Sequence, residues 1–116
     1  MGTRSEFTNL VIMTGYLVWA EEKNHTGQSK KVQGVICLPG KREYRSEYVP
    51  FAVYGTRIGR LADAQAAFPK DTPPPIELKD AERGALITIE GRLAGAGGRS
   101  GSFVLVDRIR YLDDES

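Results

Sequence analysis

Runs of β-branched, aromatic and other apolar residues bounded by glycine, proline and polar turns recur along this chain, and each reads as a β-strand, whose successive side chains point to opposite faces. Leu10 to Trp19 is a long β-prone run with one internal glycine, Gly15. A glycine inside a strand marks a bulge or sharp bend, as needed where one strand serves two parts of a barrel. Glu21 to Ser29 is polar, with Asn24 and Gly27 as turn formers. Lys31 to Leu38 then alternates again and sets Val32, Gly34 and Ile36 against Gln33, Val35 and Cys37. Pro39-Gly40 breaks this second strand, Lys41 to Ser46 is a charged loop, and Tyr48 to Tyr54 forms the third strand. Pro50 within it requires an edge position or a bulge, because proline has no N–H to give to the ladder.

The period changes after Gly55. Thr56 is a fitting N-cap for a helix over Arg57 to Phe68, with Ile58, Leu61, Ala62 and Gln65 on one face. Gly59 weakens that helix by up to about 1 kcal/mol. Pro69 and the Pro73-Pro74-Pro75 run end it and open a loop through Gly84. Ala85 to Leu93 is a fourth strand, Ala94 to Gly101 a glycine-rich hairpin loop, and Ser102 to Tyr111 a fifth strand with Phe103, Leu105, Ile109 and Tyr111 in one register. Strand, strand, strand, helix, strand, strand is the layout of the OB-fold, so the expected class is all-β, a five-stranded Greek-key barrel with one helix between strands 3 and 4. The domain is expected over residues 8–112. Residues 1–7 read as a cloning scar, since Gly-Thr, Arg-Ser and Glu-Phe are what consecutive restriction hexamers encode, and 113–116 as a short acidic end.

Length and charge narrow the function. At 116 residues the chain makes one domain, enough for a core that buries roughly 65% of the unfolded surface. Its net charge is only +1. The charge is uneven, however: Lys30, Lys31, Lys41, Arg42, Arg45, Arg57 and Arg60 stand against Glu43 and Glu47 alone across residues 27–60, whereas residues 61–90 are net acidic. One positive face on a near-neutral protein follows. Aromatic rings interleaved with those cations suit an unpaired nucleic acid, where bases stack and phosphates need neutralising. The single cysteine excludes an internal disulfide and suits a reducing cytoplasm, and no apolar run reaches the ~20 residues of a membrane span.

Catalytic chemistry finds little support. His25 is the only histidine, sits in a polar turn and has no cysteine or carboxylate at ligand spacing, so no metal and no other cofactor is expected. Cys37 lies in an apolar strand and reads as a small core residue. The Gly95 to Ser102 segment lacks the Gly-Lys-Ser/Thr ending of a phosphate loop and links two strands. Trp19 reads as an anchor of the barrel or of a subunit interface. A binding protein is expected, not an enzyme.

Three phrases, in order, resemble the single-stranded DNA-binding protein family: Thr8 to Leu17, Glu47 to Gly55, and Gly84 to Leu93 with its Glu90-Gly91-Arg92-Leu93 ending. The resemblance covers about residues 8–111. It implies that Tyr48 and Tyr54 occupy base-stacking positions and that Arg92 lies near the DNA path. The loop from Pro39 to Ser46 is shorter than the family's and lacks its tryptophan, which leaves Tyr44 as the substitute. Lys41, Arg42, Arg45, Arg57 and Arg92 are the phosphate candidates. The resemblance further implies a homo-oligomer, dimer or tetramer, working in replication, recombination or repair, with replication or repair proteins as further partners. The acidic Pro-Phe tip of bacterial members is missing, so recruitment by that route is not expected. Short relatives such as the primosomal replication protein N group offer the alternative of an OB module that contacts a partner protein.

Overall fold

The computed structural model describes residues 9–24, 30–39, 46–72, 77–95 and 101–112. The expected scar at 1–7, the turn holding His25, the loop residues Lys41, Arg42, Tyr44 and Arg45, the Pro73-Pro74-Pro75 run, most of the glycine-rich hairpin loop and the acidic end lie outside them. Five strands, β1 (Val11–Asn24), β2 (Lys30–Pro39), β3 (Ser46–Tyr54), β4 (Leu86–Gly95) and β5 (Ser102–Tyr111), close into a barrel in the order β1-β2-β3-β5-β4. All neighbours are antiparallel except β3 and β5, which are parallel. This is the five-stranded barrel expected from the sequence.

Strand β1 serves two partners. Val11 to Tyr16 pair with β4, and Tyr16 to Asn24 pair with β2. The handover falls beside Gly15, where any side chain would collide with the Cys37 carbonyl. The ladder then skips Val18, so Leu17 faces Ile36 and Trp19 faces Val35. That extra residue reverses the parity of the strand. Leu17 points into the barrel, whereas both Val18 and Trp19 belong to a second cluster outside it.

Inside the barrel Leu17, Val32, Ile36, Phe51, Val53, Ile87, Ile89, Val104 and Val106 form the main core. The inward set of β2 is the one its alternation indicated, and Cys37 is fully buried as expected, though in the outer cluster. Strand β5 departs from expectation. Its pairing with β4 jumps from Glu90–Arg108 to Gly91–Val106, which leaves Asp107 as an extra residue. Val104 and Val106 therefore fill the core, while Ile109 and Tyr111 turn inward only beyond the bulge. Phe103 and Leu105 do not share their register.

One helix does lie between β3 and β4, but not over Arg57 to Phe68. That stretch makes two 3₁₀ turns, Gly55–Ile58 and Leu61–Asp63, and the helix is a single turn, α1 (Leu78–Ala81). Gly59 at φ 54°, ψ −128° breaks the expected helix, since L-residues with a side chain rarely adopt such a backbone. Ile58 and Leu61 are nonetheless buried and seal one end of the barrel, whereas Gln65 is exposed.

The insert beyond is pinned to β1 at its bulge. The Ala67 and Phe68 N–H groups donate to the Leu17 and Val18 carbonyls at 3.1 and 2.9 Å. Lys70 Nζ lies 3.0 Å from Glu21 Oε1, a pairing that lowers the Glu21 carboxyl below its ordinary range and raises Lys70. With the carboxyl depressed in the fold, the stabilisation is present above the ordinary glutamate value and fades as pH falls through the lowered one. A melting-temperature difference between the wild type and Lys70→Ala is expected at neutral pH and should shrink progressively as the pH is taken below the ordinary glutamate range. A difference that persists in acid would assign Lys70 a packing role instead.

Candidate nucleic-acid interface

Strand registers set the outward side chains of β1, β2 and β3 in rows. Tyr48 sits beside Cys37 and then Tyr16, and Pro50 beside Val35 and then Trp19. Ala52 sits beside Gln33 and then Glu21, and Tyr54 beside Lys31 and then Lys23. Tyr48 and Tyr54 thus lie on one outer face, three alternating positions apart, roughly 20 Å along the strand. Neither ring enters the barrel.

The two ends of this face differ. At the first, Tyr16, Trp19 and Tyr48 are half-buried around Val18, Cys37 and Ala81, with Phe68 and Leu78 of the insert packed beside them. At the second, the Lys31 ammonium lies 5.5 Å above the Tyr54 ring, a cation–π contact that sets positive charge over one face of that ring. Pro50 pairs with Val35 on β2 and lies just outside the parallel run with β5, which is confined to Phe51 and Ala52, so it stands at the edge of that second pairing.

Arg92 lies two strands from β3 around the barrel. Ala52 pairs with Leu105, and Leu105 with Arg92, so an outward row runs from β2 through β3 and β5 to an exposed arginine on β4. Arg57 is exposed just after Tyr54 and stands 3.8 Å from Asp107 of the β5 bulge. A phosphate there competes with a carboxylate, and both groups are about 60% exposed, so the existing pair is a weak one. Tyr48 and Tyr54 thus share the outer face of β3, Arg57 follows that strand, and Arg92 stands on β4, on the far side of β5 from them. Tyr44, Lys41, Arg42 and Arg45 belong to the loop joining β2 to β3 at the Tyr48 end, outside the described residues.

Three residues of this face were not singled out from sequence: Tyr16, Lys23 and Lys31 as a neighbour of Tyr54. Trp19, expected to anchor the barrel or a subunit interface, packs in the cluster on the barrel's outside. Parity hid it, because Trp19 shares its odd numbering with the inward Leu17. Only the bulge at Val18 turns it out, and a β-branched residue between Leu17 and Trp19 gives no signal of that.

Among the described residues no group of histidine, cysteine or acidic side chains could hold a metal ion, and no helix is long and apolar enough to cross a membrane.

No family model matches the chain, and no curated protein matches it. Solved structures do. An SSB domain from Synechococcus sp. superposes with a TM-score of 0.63 at 15% identity, over 90% of this chain and 97% of that one. The second single-stranded DNA-binding protein, SSBb, of Mycobacterium smegmatis gives 0.67 at 12% identity, over 95% and 94%. The N-terminal domain of PriB from Thermoanaerobacter tencongensis, described as dimeric, gives 0.61 at 16%, over 89% and 94%. The chain has an SSB-like OB-fold, spanning nearly the full length of each neighbour.

Proposed function

We propose that this chain binds single-stranded DNA with little sequence preference, by base stacking on Tyr48 and Tyr54, with Tyr44 as a third ring, and by phosphate contacts to Lys41, Arg42, Arg45, Arg57 and Arg92. One observation carries the proposal: rings and cations share an outward face of a barrel that has the architecture of SSB domains. Lys31 joins the phosphate contacts because it already covers the Tyr54 ring. Catalysis is no part of the proposal, and no cofactor is. Work in replication, recombination or repair, alongside proteins of those processes and in the cytoplasm, belongs to it.

A homo-oligomer is also proposed. Leu10 and Ile12 are each 60% exposed and Leu93 51%, at the end of β1 that pairs with β4 alone among the described residues. Unpaired strand edge beside exposed apolar side chains is a surface that a second chain covers. Solution mass at increasing concentration tests it, with Ile12→Lys expected to shift the chain to monomer.

Titration with oligo-dT of increasing length tests the central proposal. Tyrosine and tryptophan emission should be quenched, and affinity should rise with length until the site is filled. An unchanged emission at low salt, with a partner protein binding the same face instead, would favour the rival interaction module.

A further inference from the structure

The turn after Gly59 and the last residue of β5 border an open pocket of about 320 Å³ lined by Arg60, Asp63, Ala64, Gln65 and Tyr111. Its volume is at the low end for a ligand site, sized for one ring system and not for an extended molecule. The Arg60 guanidinium lies 4.3 Å over the Tyr111 ring, a layered platform of the kind on which unpaired bases stack. Asp63 is exposed, and its carboxylate has no hydrogen-bond or ion-pair partner among the described residues. Gln65 donates one N–H to the Ala66 carbonyl at 3.4 Å, which leaves the other amide hydrogen available. The hydroxyl of Tyr111 is buried with no hydrogen-bond partner among the described residues, an uncommon condition in a folded protein. Burial also pushes the Tyr111 phenol up from its ordinary value, so it stays a neutral donor.

Chemistry selects among the bases. A lone carboxylate only accepts, and it is best met by two neighbouring N–H donors. Guanine alone among the four common bases offers adjacent donors on its pairing edge, N1–H and the 2-amino group. Cytosine and adenine each set an acceptor beside their amino group, and thymine or uracil flanks its single N–H with two carbonyls. The guanine O6 beside those donors accepts from a carboxamide such as that of Gln65.

We propose that this pocket is a guanine subsite, in which the base stacks on the Arg60–Tyr111 pair and gives its N1–H and 2-amino hydrogens to Asp63. The base can arrive on a free nucleotide or within a strand, and only the second source rests on the single-stranded DNA reading. Nothing in the pocket overlaps the face that carries Tyr48 and Tyr54.

Calorimetric titration of the full chain with GMP, AMP, CMP and UMP tests the free nucleotide. GMP should bind at least about 5-fold more tightly than the others, the lower bound for a bidentate base contact. Asp63→Asn, at an exposed site, should abolish that preference with the melting temperature unchanged, and Arg60→Ala should weaken all four. A parallel pair of oligonucleotides of about 12 residues, oligo-dT and the same strand with one central guanine, tests the strand-borne base. A guanine preference in the strand that Asp63→Asn removes supports that source, and GMP selectivity with indifferent strands supports the free nucleotide. If oligo-dT fails to bind while GMP selectivity holds, the single-stranded DNA reading falls and the pocket stands. Equal affinity for all four nucleotides and both strands, no nucleotide binding, or a guanine preference that survives Asp63→Asn would overturn the subsite.

Discussion

Gly91→Val is expected to lower the melting temperature by more than about 10 °C, or to abolish cooperative unfolding. Gly91 opens the bulged part of the β4–β5 ladder, where its pairing with Val106 follows that of Glu90 with Arg108. A Cβ at this position would run into the Leu105 carbonyl, with the Leu105 carbonyl carbon 2.9 Å away and the Val106 Cα 3.0 Å away. Those atoms are backbone of a paired strand and cannot swing aside as a flexible side chain does. Overpacking of this kind costs about 1–3 kcal/mol where side chains can yield and more where they cannot. A domain of this size is stable by only about 5–15 kcal/mol in all, and each kilocalorie moves its midpoint by several degrees. Gly95→Ala is the control. It lies in the same strand with nothing among the described residues within 4 Å of its Cβ, so its midpoint should stay within about 2 °C. Equal effects of the two substitutions would show that the bulge does not need its glycine.

Tyr48→Ala with Tyr54→Ala should weaken oligo-dT binding by at least about 30-fold, and each alone by roughly 5-fold or more. Base–aromatic stacking contributes about 1–3 kcal/mol per base. The rings lie roughly 20 Å apart along β3, so they meet different bases and their losses should add. Stability will separate them. Tyr48 packs in the outer cluster with Val18, Cys37 and Ala81, so its truncation should lower the melting temperature as well as the affinity. A ring in open solvent would instead leave the midpoint nearly unchanged. Tyr54 is outward at the end of its strand beside Lys31, and its truncation should cost affinity with little change in stability. Tyr48→Phe keeps the stacking surface and should keep most of the binding. Loss of affinity in Tyr48→Phe as large as in Tyr48→Ala would mean that the hydroxyl, not the ring face, does the work.

The barrel could be read from the chain because five β-prone runs are bounded by glycine, proline or polar turns. Val32, Ile36, Phe51 and Val53 keep one parity through β2 and β3, and their inward placement follows directly. Bulges broke the reading elsewhere. Val18 in β1 and Asp107 in β5 each add one residue that reverses parity, which sent Trp19 outward and split Phe103 and Leu105 from Ile109 and Tyr111. The helix was misplaced for a different reason. Ile58, Leu61 and Gln65 have helical spacing, but two burial demands met by 3₁₀ turns either side of Gly59 satisfy the same pattern in fewer hydrogen bonds. Of the candidate site, the tyrosine pair is a property of strand parity and was therefore legible. The contribution of β1, and the row that brings Arg92 around the barrel through Leu105, depend on which strands become neighbours, and no local pattern encodes that. The Arg60–Tyr111 pocket joins residues about 50 positions apart and has no motif at all.

Salt dependence of oligo-dT binding addresses the joint role of rings and cations most directly. If about four phosphates are neutralised on the basic face, the logarithm of affinity should fall against the logarithm of salt with a slope near −3, which is roughly a 50-fold loss between about 50 and 200 mM. Lys31→Ala and Arg92→Ala should each flatten that slope by somewhat less than one, while Tyr54→Ala lowers the affinity and leaves the slope alone. Undetectable binding at about 50 mM salt, or binding whose strength does not change with salt, would contradict a nucleic-acid role for this face.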